Sequence, residues 1–338
     1  MTNRFGALAV LLLAASSLRA EVYELPPEGF DVIGALSSVT ARYEDTLVDI
    51  ARRHGLGYQD IVRANPGVNV WVPGEGAEVV LPTRFVLPPG PRKGLVLNLA
   101  EYRMYYFPEP VEGKPAYVYT YPMSIGRMDW ETPLGSTTIT AMAKDPAWYP
   151  PQSVRDEHAA DGDDLPRVVP PGPENPLGSR ALRLGLPGYL IHGTNRPAGV
   201  GMRVSHGCVR MFPEDIEFLF RHVRVDTPVR IINAPVKIGW DGEVLVAEIH
   251  PLLESPQPLV EESLQQVEVL DADTEVPEVV TPSKDPLTQV TEQFVTVTAE
   301  RPGRLDWERI EILVDRSNGI PEPVGQSIKN AAASAASQ

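Results

Sequence analysis

The sequence predicts a mainly β protein with minor α content: a sandwich or barrel-like β domain preceded by a small strand-helix-helix-strand unit. Two observations carry that prediction. Thirty-five prolines and 27 glycines in 338 residues punctuate the chain too often for a helical protein. From Gly94 onward, short apolar and aromatic runs also alternate with turn residues, the pattern of successive strands.

The first element is a leader. Arg4 precedes an apolar stretch from Phe5 to Ala15, and small or polar residues lead to Ala20 before Glu21. That pattern predicts a secretory signal peptide over residues 1–20, because the apolar run is too short to span a bilayer. Export to the periplasm or cell surface is the expectation. No cysteine at the processing site suggests a lipid anchor, and no other run is long enough for a transmembrane helix.

Residues 37–83 form the small unit. Val39 to Tyr43 alternates like a strand, Glu44-Asp45-Thr46 can cap a helix, and Leu47, Ile50 and Ala51 share one helical face. Tyr58 to Pro66 makes a second short helix, and Ala77 to Pro82 a closing strand. With Asp45-Thr46-Leu47, Ile50-Ala51 and Ala64-Asn65-Pro66, the unit resembles a LysM module. That resemblance implies binding to N-acetylglucosamine-containing glycan strands, although a packing role without glycan affinity fits the same pattern.

Leu87 to Pro91 reads as a stiff linker. Gly94 to Leu99, Arg103 to Phe107, Ala116 to Ile125 and Thr137 to Ala141 then read as strands, with Thr132 to Ser136 as a turn. Residues 146–178 break the rhythm with Trp148-Tyr149-Pro150-Pro151 and a second proline-rich run up to Gly178. Aromatics and prolines together predict an ordered flap rather than a disordered loop. Leu182 to Leu184 and Tyr189 to Ile191 are strands by pattern, so His192 falls at a strand end, and Pro213 to Phe220 begins a helix.

The net charge of −15 excludes a general nucleic-acid binder, which would carry a basic footprint. The charge is uneven. Sixteen acidic and six basic residues lie from Pro251 to the end, whereas Arg180 to Arg230 holds eight arginines against four acids. A basic island in an acidic protein suits a substrate bearing carboxylates, and a solvated arginine-rich face is the plainer alternative.

That island contains the chain's one cysteine, in Ser205-His206-Gly207-Cys208-Val209-Arg210, with His192-Gly193-Thr194 upstream. An exported protein normally pairs its cysteines, and a single one cannot pair within its chain. A buried core thiol or an intermolecular disulfide are the unreactive readings. Two nearby imidazoles and a glycine that permits a tight turn favour a nucleophile, with backbone amides on that turn facing a developing oxyanion.

His192-Gly193-Thr194-Asn195 followed by Ser205 to Met211 is similar to the signature of the YkuD-type L,D-transpeptidases, including the flap of their Gram-negative branch. The likeness covers residues 94–233. It implies a donor peptidoglycan tetrapeptide stem, attacked by Cys208 at the bond between its third residue and the terminal D-alanine, a thioester, and transfer to an amine. It also implies His192 as general base and acid, His206 as a substrate-positioning or thiolate-supporting imidazole, and Gly207 and Cys208 as oxyanion donors. Arg210 would meet a stem carboxylate, Ser205 would orient a neighbour, and Gly193 and Thr194 would line the substrate loop. No cofactor or metal enters this scheme. The acceptor is left open between a second diamino acid, a lysine of an outer-membrane lipoprotein, and water.

Residues 234–338 fit the family less well. Gly239 to Ile249 reads as a hairpin turning at Asp241-Gly242, Pro251 to Asp285 as an acidic flexible excursion, Asp306 to Val314 as a helix, and the Ala-Ser tail as disordered. Three rival functions remain at this level: a zinc site built from His192, His206 and Cys208, a non-catalytic wall-binding protein, and a redox thiol.

Overall fold

The computed structural model of the protein describes residues 21–127, 130–253 and 285–328. The expected leader, most of the acidic excursion and the Ala-Ser tail lie outside the described residues. The N-terminal part contributes β1 (Glu21–Glu24), β2 (Val32–Gly34), β3 (Ser37–Thr40), α1 (Leu47–Arg53), α2 (Tyr58–Ala64), β4 (Glu78–Leu81) and β5 (Arg84–Val86). The strand-helix-helix-strand order is β3-α1-α2-β4, with β3 and β4 paired antiparallel.

Local chemistry explains this unit. Thr46 Oγ1 accepts from the Asp49 amide at 3.0 Å, and Asp49 Oδ2 accepts from the Thr46 amide at 3.3 Å, a reciprocal cap on α1. Asn65 ties α2 to β4: its Nδ2 donates to the Ile61 and Val80 carbonyls, and its Oδ1 accepts from the Val80 amide at 2.7 Å.

The central part contains β6 (Gly94–Asn98), β7 (Arg103–Phe107), β8 (Tyr117–Pro122), β9 (Ile125–Gly126), β10 (Gly135–Lys144), α3 (Gln152–Ala160) and β11 (Arg180–Leu184). It continues with β12 (Leu190–His192), a 3-10 turn at Pro197–Gly199, β13 (Arg203–Ser205), β14 (Val209–Arg210), α4 (Pro213–Phe220) and β15 (Pro228–Ile232). A nine-stranded sheet runs in the order β1-β8-β7-β6-β15-β10-β11-β12-β14, with β9 and β13 forming a separate pair.

Strand alternation explains why the sheet is covered on both faces. Leu95, Leu97, Met104 and Tyr106 point into a core shared with α4, whereas Val96, Tyr105 and Phe107 point into the core of the N-terminal unit. The segment expected as a stiff linker, Leu87 to Pro91, is packed at its start. Val86 and Leu87 are buried, and the Leu87 amide donates to the Asp31 carbonyl at 2.7 Å.

The N-terminal unit also touches the loop between His192 and Cys208. The Tyr58 amide donates to the Val200 carbonyl at 2.9 Å, and a Cβ on Gly57 would stand 2.9 Å from the Gly201 Cα. Arg52 meets Glu214 on α4 at 2.7 Å, and buried Arg103 meets Asp60 on α2 at 2.6 Å.

The C-terminal part has its own core around Trp240, Leu245, Val290, Ile310 and Val324. Its sheet, β16-β17-β19-β18, combines the expected hairpin of β16 (Val236–Asp241) and β17 (Val244–Ile249) with β18 (Gly303–Leu305) and β19 (Glu322–Ser327). Helices α5 (Pro286–Thr298) and α6 (Trp307–Arg316) complete it. Only the hairpin and α6 were expected from sequence. Asp285 and Asp306 cap the two helices through their carboxylates. No helix among the described residues is long and apolar enough to cross a membrane.

Candidate active site

Strands β12 and β14 lie side by side and parallel, with His192 in register with Arg210, and the Met211 amide donates to the His192 carbonyl at 2.9 Å. This pairing fixes the histidine against the strand that begins immediately after Cys208. His192 is 4% exposed, and its Nδ1 stands 2.6 Å from the Gly193 carbonyl oxygen. A carbonyl only accepts, so Nδ1 carries the hydrogen and Nε2 keeps its lone pair. Burial, and then the Arg210 charge, push the imidazole down to about 3.

The Cys208 thiol is partly exposed, with Sγ 3.7 Å from the Gly188 carbonyl oxygen. Burial holds its pKa above the ordinary thiol value, against the opposing pull of the Leu190 amide and the Arg210 guanidinium. Base and nucleophile thus rest as a neutral imidazole and a neutral thiol. The proton then leaves sulfur during attack, as general-base catalysis requires. Alkylation of the free protein by iodoacetamide should therefore rise with pH through and beyond the normal thiol range. A plateau near pH 6 would instead reveal a preformed thiolate-imidazolium pair and contradict this arrangement.

The turn carrying the thiol is built from several contacts. Ser205 Oγ donates to the Cys208 carbonyl. Thr132 Oγ1 accepts from the Gly126 amide at 3.0 Å and donates to the Gly207 carbonyl at 2.8 Å. Gly207 has φ +92°, and a Cβ there would stand 2.8 Å from the Tyr189 ring, so only glycine fits. Among the described residues, the Gly207 and Cys208 amides have no protein acceptor, which leaves both as possible oxyanion donors.

The other expected site residues fall in different places. His206 turns its Nε2 to Glu157 of α3 at 2.7 Å, with Trp130 edge-on at 5.3 Å between ring centroids. Arg210 has a buried Nε with no acceptor among the described residues, and its charge acts on both His192 and Cys208. Gly193 supplies the carbonyl that orients His192, and a Cβ there would stand 3.1 Å from the Ile216 side chain. Thr194 is buried, and its Oγ1 accepts from the Arg196 amide at 2.9 Å, so it shapes the loop.

Sequence reasoning missed Thr132, Arg127, Glu157 and Tyr189 at this site. The flap is ordered, as expected, but contains helix α3. Asn175 gathers its ends by donating to the Pro146, Val169 and Pro170 carbonyls.

For the zinc alternative, each imidazole already has a protein partner through one nitrogen. Among the described residues, ligand atoms of three side chains converge at Glu101, Glu248 and His250. There the Lys237 ammonium stands 2.8 Å from each carboxylate and supplies the positive charge.

Comparison with known proteins identifies the family. The L,D-transpeptidase catalytic domain model, YkuD, matches residues 92–231, and the LysM domain model matches residues 39–71. The Escherichia coli K12 protein named "Probable L,D-transpeptidase YcfS" is 40% identical over 74% of this chain and 78% of its own length. The Salmonella typhimurium LT2 protein named "Probable L,D-transpeptidase ErfK/SrfK" is 37% identical over 94% of this chain and 95% of its own. Among solved structures, L,D-transpeptidase 3 from Mycobacterium tuberculosis aligns with a TM-score of 0.31 and 17% identity, over 65% of this chain and 97% of that one. On the two sequence relatives, which align over most of their length, this chain is an enzyme that belongs to the L,D-transpeptidase family.

Proposed function

We propose that the protein is a periplasmic cell-wall enzyme that transfers a peptidoglycan tetrapeptide stem through a thioester on Cys208. Cys208 Sγ attacks the carbonyl carbon of the stem's third residue while its proton passes to His192 Nε2. The carbon-sulfur bond forms, the carbon-nitrogen bond to the terminal D-alanine breaks, and His192 returns the proton to the leaving amine. An acceptor amine then attacks the thioester, restoring the thiol. The amides of Gly207 and Cys208 receive the oxyanion, and Arg210 pairs with a stem carboxylate.

The observation that carries this reading is the placement of His192, its Nδ1 held by the Gly193 carbonyl, on the strand paired with the one that begins after Cys208. The remaining assignments extend it. Residues 37–83 hold glycan strands and bring the stem to residues 94–233, residues 1–20 direct export, and the C-terminal part braces the other two through Lys237 and Glu248. The acceptor is a diamino-acid amine or a lipoprotein lysine. Purified protein given a disaccharide-tetrapeptide should release D-alanine and form either a dimer or, when a lysine-ending peptide is supplied, the stem-lysine adduct. Release that gives only a shortened tripeptide with both amines present would make water the acceptor. No release at all would sink the reading.

A further inference from the structure

A guanidinium and an imidazole nitrogen beside the nucleophile grip one carboxylate of the chain itself. Glu157 Oε1 lies 2.7 Å from Arg127 Nη2, and Glu157 Oε2 lies 2.7 Å from His206 Nε2. Both partners belong to the nucleophile's surroundings: His206 is two residues before Cys208, and the Arg127 amide donates to the Ser205 carbonyl at 2.9 Å. The Arg127 and His206 contacts also hold the Glu157 carboxyl below the usual range, so it is ionised.

The helix carrying Glu157 is weakly held. Helix α3 buries only Val154, lacks a side-chain N-cap, and exposes a third of each partner of the Arg127–Glu157 pair. Exposed ion pairs of this kind contribute little net stability, so a competing carboxylate can displace one. A planar fork and an imidazole N–H converging on two oxygens is the geometry that recognises a carboxylate. The neighbouring Arg210, whose charge reaches Cys208, adds to a field that attracts anions.

We propose that Arg127 and His206 form a carboxylate-binding subsite for the acyl donor, which Glu157 of the flap fills until the donor's carboxylate displaces it. The flap then opens as substrate enters, one carboxylate replacing another on the same two donors. The identity of the donor as a stem peptide rests on the function proposed above, whereas the subsite itself does not.

Paired thiol reagents test it. In each, Cys208 sulfur displaces iodide, forming a carbon-sulfur bond and losing its proton to solvent, but iodoacetate carries a carboxylate and iodoacetamide does not. Glu157→Gln should raise the iodoacetate-to-iodoacetamide rate ratio by about fivefold or more, since it frees a charge-assisted carboxylate site. Asp156→Asn removes the same charge from the same helix without touching Arg127 or His206, and should leave the ratio unchanged. An unchanged ratio in Glu157→Gln overturns the subsite, as does an equal rise in Asp156→Asn. A merely loosened flap speeds both reagents alike, and that outcome also counts against it. In turnover, Glu157→Gln should lower KM for a carboxylate-bearing donor but not for its amidated counterpart. If the ratio shifts while no donor turns over, the subsite stands and the proposed reaction falls.

Discussion

Cys208→Ala is expected to lose D-alanine release by more than about a thousandfold, because the remaining groups polarise and position but cannot form the thioester. His192→Gln should cost about 10²- to 10⁴-fold, the range for a general base, while leaving the thiol open to slow alkylation. The two losses differ in character. The alanine variant has no sulfur to acylate, whereas the glutamine variant keeps the nucleophile but must shed its proton unaided. Neither change should alter the fold, since Cys208 is only partly buried and glutamine approximates the imidazole's size. Unfolding midpoints within a few degrees of the parent would verify that. Preserved turnover in Cys208→Ala would end the mechanism.

Lys237→Met should cost about 3–5 kcal/mol of stability, because it strips the cation from a buried ionic cluster. Lys237 Nζ contacts Glu101 and Glu248 at 2.8 Å each, the Val86 carbonyl at 2.7 Å and the Tyr105 hydroxyl at 3.2 Å. The cluster joins all three parts of the chain: Val86 from β5, Glu101 and Tyr105 from the central part, and Lys237, Glu248 and His250 from the C-terminal part. Glu248 also accepts from the Val86 amide at 2.6 Å and contacts His250 at 2.7 Å.

Burial already raises the Glu248 pKa, and Lys237 is the leading influence that opposes this. Without Lys237 the folded-state value rises further above the unfolded one. The folded state then holds a proton that the unfolded state releases, so stability present at low pH is lost as pH rises. Denaturant titration should therefore show a larger deficit at pH 8 than at pH 5. A deficit under about 1 kcal/mol, equal at both pH values, would mean that the cluster is solvated and carries little load.

Much of the fold was legible because it follows local periodicity. Strands β6 and β7 stood out as apolar runs, and the Thr46 cap and the apolar face of Leu47, Ile50 and Ala51 marked α1. His192 was placed at a strand end by the pattern of Tyr189 to Ile191. The elements that escaped lack such marks. Helix α3 is polar and buries only Val154, so no apolar stripe betrays it. Helix α5 is rich in Thr and Val, which disfavour helix locally, and packing of Val290 in the C-terminal core overrides that preference. Strand β1 exists because it pairs with β8, nearly a hundred residues downstream.

The site divides the same way. Ser205, His206, Gly207 and Cys208 could be read from one short run. Their supports come from afar: Glu157 lies 49 residues from His206, and Thr132 lies 75 from Gly207. Contacts that the fold alone brings together leave no spacing in the sequence. Tautomer and pKa were equally hidden, because both depend on the Gly193 carbonyl and on burial.

The most direct test is the mass of the intact protein after brief exposure to a disaccharide-tetrapeptide, followed by peptide mapping. The account predicts a covalent gain equal to the donor minus one D-alanine, located on the peptide containing Cys208 and released by a free amine. An unmodified mass in protein that nonetheless turns over the donor, or a gain mapped to any other residue, would contradict it.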